Sequence, residues 1–248
     1  MAGTAVHGRL GWHAATVVER RKETDTASTL VLDVPDWPGH IAGQHVDVRL
    51  RSDDGYTAVR TYSIASAPNG LRIELSIELM PDGEVSPYLV ESIAAGSPLE
   101  VLGPIGGWFV WKPEQTEPIQ LIAGGSGIVP LMAMLRTRNA IGSHAPFRLL
   151  YSVRAPQSIY YANELQGLGQ DGIGITYAYT RTAPDNWPTK PERVGAALLA
   201  SAAFPADLHP TCYICGPTSF VEAVASLLTQ AGHEASRVKT ERFGPTGS

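Results

Sequence analysis

The first half of the chain contains short runs in which apolar and polar residues alternate. The clearest run covers residues 72–79, where Ile73, Leu75 and Ile77 are separated by polar residues. Alternation places successive side chains on opposite faces, which is typical of a half-buried strand. Such short strands, separated by turn residues, predict an antiparallel barrel or sandwich. The predicted strands cover residues 14–19, 29–34, 45–50, 59–65 and 71–79.

One helix is predicted within this half, over residues 86–96. Ser86 can cap its N-terminus, Pro87 suits its first turn, and Gly96 can end it. The apolar residues between them recur at helical spacing. A mainly β half with one helix is therefore expected.

The second half alternates strand-like with helix-like segments, which predicts an open parallel sheet with helices on both faces. The polar segment 112–118, with its two prolines, is the expected boundary. It gives a first domain over residues 1–113 and a second over residues 117–248. The predicted strands are 119–123, 147–153, 173–179, 212–215 and 237–243, and the predicted helices are 128–139, 161–168, 192–202 and 218–231.

Composition narrows the class of protein. Of the 248 residues, 44% are apolar and 17% are charged, which is typical of a chain that folds around a core. The net charge of −5, with no run of basic residues, argues against a nucleic-acid partner. No apolar run reaches the roughly 18 residues of a membrane span, and residues 1–10 lack a signal-peptide core.

The two cysteines, Cys212 and Cys215, exclude a disulfide framework and fit a reducing compartment. We therefore expect a cytoplasmic protein without a membrane partner. Residues three apart in a strand point to opposite faces, so this pair does not form a metal or redox site. The seven histidines also lack metal-ligand spacing, and no metal is expected. Cys212 is interpreted as a small buried hydrophobe.

A glycine-rich segment follows the first strand of the second half and opens a helix. Glycines let backbone amides approach a phosphate closely, and a helix N-terminus adds positive potential. The segment indicates pyrophosphate binding, although Pro130 stands where a third glycine would complete the usual fingerprint. A tight strand–helix turn is the alternative. The segment is Gly124, Gly125, Ser126 and Gly127.

A second candidate site lies inside a predicted strand. Alternation puts Arg60 and Tyr62 on one face, and Thr61 and Ser63 on the other. An arginine and a tyrosine that face one groove can hold a phosphate and stack on a planar ring. An exposed face with a cross-strand pair is the alternative.

These segments, in this order and at these spacings, resemble the ferredoxin–NADP reductase superfamily over residues 12–247. The likeness is greatest to bacterial oxygenase reductases. It implies an antiparallel β-barrel flavin domain, followed by an α/β open parallel-sheet NAD(P)-binding domain. It also implies FAD rather than FMN as the cofactor, and NADPH or NADH as the substrate.

The resemblance assigns flavin contacts to the first domain. Arg60 is expected to bind a flavin phosphate, Tyr62 to stack beside the ring system, and Ser63 to hydrogen-bond near flavin N5. The other residues expected to bind flavin are Thr61, Ile64, Ala65, Gly83, Val85 and Ser86.

The resemblance also assigns residues of the second domain. Gly124–Gly127 are expected to hold the dinucleotide pyrophosphate. Cys215, followed by Gly216 and Pro217, is expected near the hydride-transferring carbon. Phe243 is expected to cover the flavin face, and Glu241 to shuttle protons. The expected catalytic residues are thus Ser63, Cys215 and Glu241.

Three more residues fall where relatives contact the adenosine ribose. They are Arg154, Thr180 and Arg181. An arginine can grip a 2′-phosphate in bidentate fashion, which favours NADPH. Arginines also stand at these places in relatives without that preference, so NADH stays open.

The resemblance implies a flavin-dependent oxidoreductase that passes electrons from NAD(P)H through FAD to a separate acceptor, such as ferredoxin or an oxygenase component. Many oxygenase reductases carry an iron–sulfur cluster held by four cysteines. This chain has two cysteines, so a separate redox protein is expected. A free-flavin reductase and an electron-transfer subunit of a larger complex are the alternatives. Trp108 and Phe109 are expected to pack at the domain junction.

Overall fold

The computed structural model describes residues 10–51, 55–170 and 172–244. The parts of the two predicted domains and of the family resemblance that fall on other residues lie outside this description. So does most of the segment 1–10. Whether the domain boundary lies at residues 113–117 stays a prediction.

The first half forms a six-stranded antiparallel sheet in the order β4-β3-β6-β1-β2-β5. A bridge between Ile64 and Leu75 joins the two edges of this sheet. The antiparallel barrel is therefore confirmed. Its strands are β1 (Gly11–Thr24), β2 (Ala27–Asp33), β3 (His45–Arg51), β4 (Thr57–Ser63), β5 (Arg72–Glu78) and β6 (Pro98–Ile105).

Strand β6 lies in the middle of this sheet, between β1 and β3, yet the sequence pattern did not predict it. Its buried residues Leu99 and Val101 do alternate with a polar neighbour. Pro98, Gly103 and Pro104 interrupt the run, because proline and glycine usually mark the ends of strands. The pattern was therefore too short to identify a strand.

The helix predicted over residues 86–96 is a single five-residue turn, Tyr88–Ser92. Ser86 does not cap it, so that prediction was wrong. The Ser86 hydroxyl instead accepts a hydrogen bond from the Met80 backbone N–H at 2.9 Å, and donates to the Met80 carbonyl at 3.4 Å. Ser86 thus fixes the loop before the turn.

The second half forms a five-stranded parallel sheet in the order β11-β10-β7-β8-β9, which confirms the predicted α/β fold. Helix α3 begins four residues later than predicted, because Gly195 is extended. The strands are β7 (Ile119–Gly124), β8 (Phe147–Val153), β9 (Gly174–Tyr179), β10 (Thr211–Pro217) and β11 (Val238–Phe243). The helices are α1 (Ile128–Ala140), α2 (Ala162–Gln170), α3 (Ala196–Ala202) and α4 (Thr218–Gln230). No helix in the described part of the chain is long and apolar enough to cross a bilayer.

The two cysteines lie on opposite faces of this sheet, as predicted. Cys215 packs in the core that contains Leu121 and Ala123, and Cys212 packs in the core that contains Ile122. Both thiols are free and buried.

The two halves share one apolar core. Ala27, Ala65 and Phe109 of the first half pack in the same cluster as β7 and α1 of the second. The Phe109 ring meets the Tyr213 ring edge-on at 5.4 Å, so Phe109 lies at the junction as predicted. Trp108 is also at the junction but on its surface, because its side chain is 59% exposed and its ring centroid lies 5.5 Å from Lys239 Nζ of the second half.

Charged side chains also join the halves. The Arg136 guanidinium on α1 bonds the Glu74 carboxylate of β5 at 2.8 Å and the Ala65 carbonyl at 3.0 Å. It also bonds Glu164 of α2 at 2.6 and 2.8 Å. One arginine therefore satisfies two carboxylates, one from each half.

Removing this arginine is expected to destabilise the fold. We expect Arg136→Ala to lower the free energy of unfolding by about 3 kcal/mol, because the Glu164 carboxylate loses its partner and the partly buried Glu74 carboxylate keeps only Arg21. Arg72→Ala is the control, since it removes an exposed arginine 3.8 Å from Asp33, which is worth less than about 1 kcal/mol. Urea unfolding measures both variants. Equal losses would show that Arg136 contributes no more than a surface ion pair.

Candidate active site

A cleft of about 250 Å³ lies at the carboxyl ends of β7, β8, β9 and β10, and we call it the first cleft. Ligands of open parallel sheets bind at this edge. The first cleft brings together six residues expected to bind the dinucleotide: Gly124, Gly125, Ser126, Arg154, Thr180 and Pro217. Its other lining residues are Thr24, Thr26, Glu78, Ser152, Val153, Ser158, Tyr160 and Phe220.

The glycine loop needs its glycines for two different reasons. Gly125 has φ +54°, a left-handed conformation that glycine adopts most easily, and open space lies beside it. A Cβ on Gly127 would lie 2.1 Å from the carbonyl oxygen of Cys215. The loop therefore packs directly on the end of β10, with room for a ligand at Gly125.

Arg181 does not line the first cleft, unlike Arg154 and Thr180. Its side chain is exposed, and its backbone N–H donates to the Arg154 carbonyl at 3.0 Å. The two arginines thus sit on adjoining loops, with only Arg154 facing the cleft.

A second cleft, of about 540 Å³, lies between the barrel and strand β11. His45 and Thr61 line it from the barrel, and Glu241 and Phe243 line it from β11. The exposed Trp108 stands among its lining residues. The others are Gly43, Gly106, Gly107, Phe109, Thr240, Arg242 and Gly244.

The three residues expected to be catalytic converge where the halves meet. The Ser63 hydroxyl of β4 donates to Glu241 Oε1 at 3.4 Å, although 178 positions separate them in the chain. Glu241 is the register partner of Cys215 on the neighbouring strand. Burial, and then the Glu241 charge, raises the pKa of the Cys215 thiol. The thiol is therefore held in its neutral form.

Glu241 has an unusual acidity for a carboxyl group. Burial at the junction raises its pKa to about 7, even though the hydrogen bond from Ser63 lowers it. The group therefore exchanges its proton near neutral pH, as a proton donor or acceptor in catalysis must.

The residues expected to bind flavin phosphate share one edge of the barrel. The Arg60 side chain is half exposed, and its guanidinium lies 3.5 Å from the Glu84 carboxylate. That contact places Arg60 beside Gly83, Val85 and Ser86. Arg60 Nη1 also donates to the Val59 carbonyl at 2.8 Å, which leaves the remaining N–H groups of the guanidinium available to an anion.

The other expected flavin residues are more enclosed. Tyr62 packs partly against the barrel core, and burial raises its pKa to about 12. Ile64 and Ala65 are completely buried, and their backbone N–H groups are bonded to Gln44 and Glu74. The Ala65 carbonyl also accepts a hydrogen bond from Arg136, so the side chains and these bonded backbone groups are closed to a ligand. Thr61 donates to Asp47 at 2.5 Å.

The sequence did not predict which residues of the barrel line the first cleft. Thr24, Thr26 and Glu78 reach the cleft only because the barrel packs against the parallel sheet, which no local pattern reports. Tyr160 was missed as well, although it begins a conspicuous pair of tyrosines after β8. No cluster of metal ligands occurs among the described residues.

Known families and structures match this architecture. A model of the oxidoreductase FAD-binding domain matches residues 14–110, and one of the oxidoreductase NAD-binding domain matches residues 121–226. The structure of the flavohem-like FAD/NAD-binding domain of nitric oxide dioxygenase from Vibrio cholerae O1 biovar El Tor superposes with a TM-score of 0.84. It is 25% identical, and the match covers 96% of this chain and 100% of that one.

Curated relatives are longer than this chain. The flavohemoprotein of Bacillus cereus is 28% identical over 260 residues, which cover 98% of this chain and 64% of that protein. The glycine betaine monooxygenase reductase subunit of Pseudomonas aeruginosa is 30% identical over 208 residues, which cover 82% of this chain and 56% of that subunit. The chain thus spans about three fifths of the length of these relatives.

Proposed function

Because the chain belongs to the ferredoxin reductase family, whose members join a FAD-binding to a NAD-binding domain, we propose that it oxidises NADH or NADPH and passes the electrons through FAD to a separate acceptor. The convergence of Ser63, Cys215 and Glu241 where the two halves meet carries this proposal.

The residues present fit FAD. Arg60 offers a half-exposed cation to a phosphate, and Phe243, Gly106 and Gly107 line the second cleft. Arg60, Tyr62, Ser63 and the 83–86 loop would hold the cofactor. When bound, FAD supplies the redox chemistry, since it accepts a hydride and releases electrons singly.

The chain's own groups bind, orient and handle protons. Backbone amides of Gly124–Gly127 bind the dinucleotide pyrophosphate at the N-terminus of α1. Cys215, fully buried beneath them, excludes water from the junction. Glu241 holds a proton that the Ser63 hydroxyl can share, and Phe243 covers the open side of the second cleft.

A purified protein tests this function directly. We expect it to retain FAD through gel filtration and to reduce ferricyanide with NADH or NADPH. Retention also separates this function from a free-flavin reductase, which would release the flavin. A protein that binds no FAD contradicts the proposal.

Dinucleotide choice depends on Arg154. Arg154 lines the first cleft and Arg181 does not. We therefore expect Arg154→Ala to raise the KM for NADPH about tenfold, because the variant loses one charge-assisted contact with the 2′-phosphate. Arg181→Ala should have a smaller effect, and the KM for NADH should change little in both. Steady-state assays with ferricyanide measure this. An unchanged KM for NADPH in both variants rules out a phosphate clamp.

The acceptor is a separate redox protein, either a ferredoxin or an oxygenase component. The relative from Pseudomonas aeruginosa supports this choice, because it is the reductase subunit of a monooxygenase. Two free cysteines support a cytoplasmic location, where thiols stay reduced.

A further inference from the structure

Tyr160 has an unusual environment in the first cleft. The residue lines the cleft and is only 3% exposed, yet its hydroxyl forms no hydrogen bond of normal geometry in the described part of the chain and has only a looser contact with the Glu78 carboxylate. Buried hydroxyl groups nearly always have a partner in folded proteins. A ligand of the cleft would therefore complete the hydrogen bonding of this hydroxyl.

Glu78 lies beside it, on the other half of the molecule. It ends β5, is exposed to the first cleft, and forms no ion pair with another described residue. Burial is the largest cause that raises the pKa of the Tyr160 hydroxyl, and the charge of Glu78 and a hydrogen-bonding contact with it also raise this pKa. A donor from the second half thus stands next to an acceptor from the first.

We propose that Tyr160 and Glu78 together bind a ribose hydroxyl of the nicotinamide dinucleotide, an inference that rests on the proposed function. A hydroxyl group both donates and accepts, so it matches a phenol beside a carboxylate. A phosphate does not match, because Glu78 repels it. In the proposed function the pyrophosphate binds the glycine loop, of which Gly124, Gly125 and Ser126 line the same cleft.

The nicotinamide carboxamide also offers a donor and an acceptor, but its position differs. In the proposed function it lies at the Ser63–Glu241 junction. Neither Tyr160 nor Glu78 lines the second cleft, which contains Glu241. The ribose hydroxyls lie between that ring and the pyrophosphate, or beyond the pyrophosphate, and so remain the matching groups.

The pair is held in place before a ligand arrives. The backbone N–H of the next residue, Tyr161, donates to the Glu23 carboxylate of β1 at 3.1 Å. The Tyr161 hydroxyl bonds Ser76, two residues before Glu78 on β5. These contacts fix the two halves of the site relative to each other, which lowers the entropy lost on binding.

Conservative substitutions test the pair on the FAD-loaded protein. We expect Tyr160→Phe and Glu78→Gln each to weaken NAD⁺ binding in isothermal titration about tenfold, and to raise the KM for NADH by a similar factor. Turnover at saturation should stay within about twofold, because the contact is remote from the reacting groups. The double variant should bind about as weakly as either single one, since both side chains hold one hydroxyl.

Control variants and melting temperatures distinguish an effect on NAD⁺ binding from an effect on folding. Tyr177→Phe removes a hydroxyl and Glu114→Gln a carboxylate outside both clefts, and neither should change NAD⁺ binding. Tyr160→Phe should change the melting temperature little, because phenylalanine fills the same space and removes a hydroxyl that forms no hydrogen bond of normal geometry.

Two kinds of failure are distinguishable. If the wild type binds NAD⁺ and NADH reduces its FAD, but either variant binds as tightly as the wild type, the Tyr160–Glu78 pair is wrong and the proposed function stands. Tighter binding by Glu78→Gln would show that Glu78 only repels the phosphates. A wild type that binds no NAD⁺ and shows no reduction of FAD overturns the proposed function and the pair together.

Discussion

Gly127→Ala is expected to destabilise the protein by about 3 kcal/mol and to lower the rate of FAD reduction at least tenfold. The added methyl carbon would lie 2.1 Å from the Cys215 carbonyl oxygen and 2.7 Å from the Gly216 nitrogen. Both are backbone atoms of β10, which is hydrogen-bonded on both sides, so neither can rotate away. Strand β10 must shift, and Cys215 moves with it.

Denaturant unfolding and rapid mixing with NADH measure the two effects of Gly127→Ala. Gly167→Ala is the matched control, because it lies inside α2 and a Cβ there meets nothing within 4 Å. Alanine also favours the helix, so this control should equal or exceed the wild type in stability. If both alanine variants behave like the wild type, the close approach of the glycine loop to β10 is wrong.

Glu241→Gln is expected to lower turnover about 100-fold and to remove its pH dependence near neutrality. The wild-type rate should change through an inflection near pH 7, because burial raises the pKa of Glu241 to about 7. Glutamine keeps the size and the hydrogen bond to Ser63 but cannot exchange a proton. Loss of a general acid or base typically costs a factor of about 100 or more. Turnover between about pH 5.5 and 8.5 measures the effect.

The same pKa predicts how stability depends on pH without FAD. The folded protein binds the Glu241 proton more tightly than the unfolded chain, where the pKa is close to 4.5. Its contribution to stability is therefore present below about pH 4.5 and is lost as the pH rises towards 7. Glu241→Gln should lack this loss. Glu222 has an exposed carboxyl group near Arg242, and the Glu222→Gln variant is the control. It should keep both the loss of stability with rising pH and the inflection of the rate near pH 7. Identical pH profiles in Glu241→Gln and the wild type would contradict a proton-transfer role.

The local sequence pattern was sufficient to predict the bounds of a strand that is apolar along nearly its whole length. Strand β8, Phe147–Val153, has the predicted bounds because six of its seven residues are buried, so its apolar run coincides with the strand. Strand β6 was missed because Pro98 and Gly103 break its alternation, although pairing with β1 and β3 supplies its hydrogen bonds. The helix at Tyr88–Ser92 is short since Ser86 bonds Met80 instead of capping it.

The sequence predicted individual residues of the candidate site but not the contacts between them. Residues such as Ser63 and Glu241 were identified by resemblance, but no local rule relates positions 178 apart. Their contact, and the burial that shifts the pKa of Glu241, arise when the barrel packs on the sheet. The same packing brings Glu78 to Tyr160 and leaves Trp108 exposed at the second cleft. These features depend on how the domains meet.

In the proposed function, FAD and a nicotinamide ring meet between Ser63 of the barrel and Cys215 and Glu241 of the sheet. Anaerobic stopped-flow mixing of the FAD-loaded protein with excess NADH, and separately NADPH, tests it most directly. We predict that flavin absorbance bleaches in a single turnover with at least one of them. Retained FAD, measurable NAD⁺ binding and unchanged flavin absorbance with both nucleotides would contradict it.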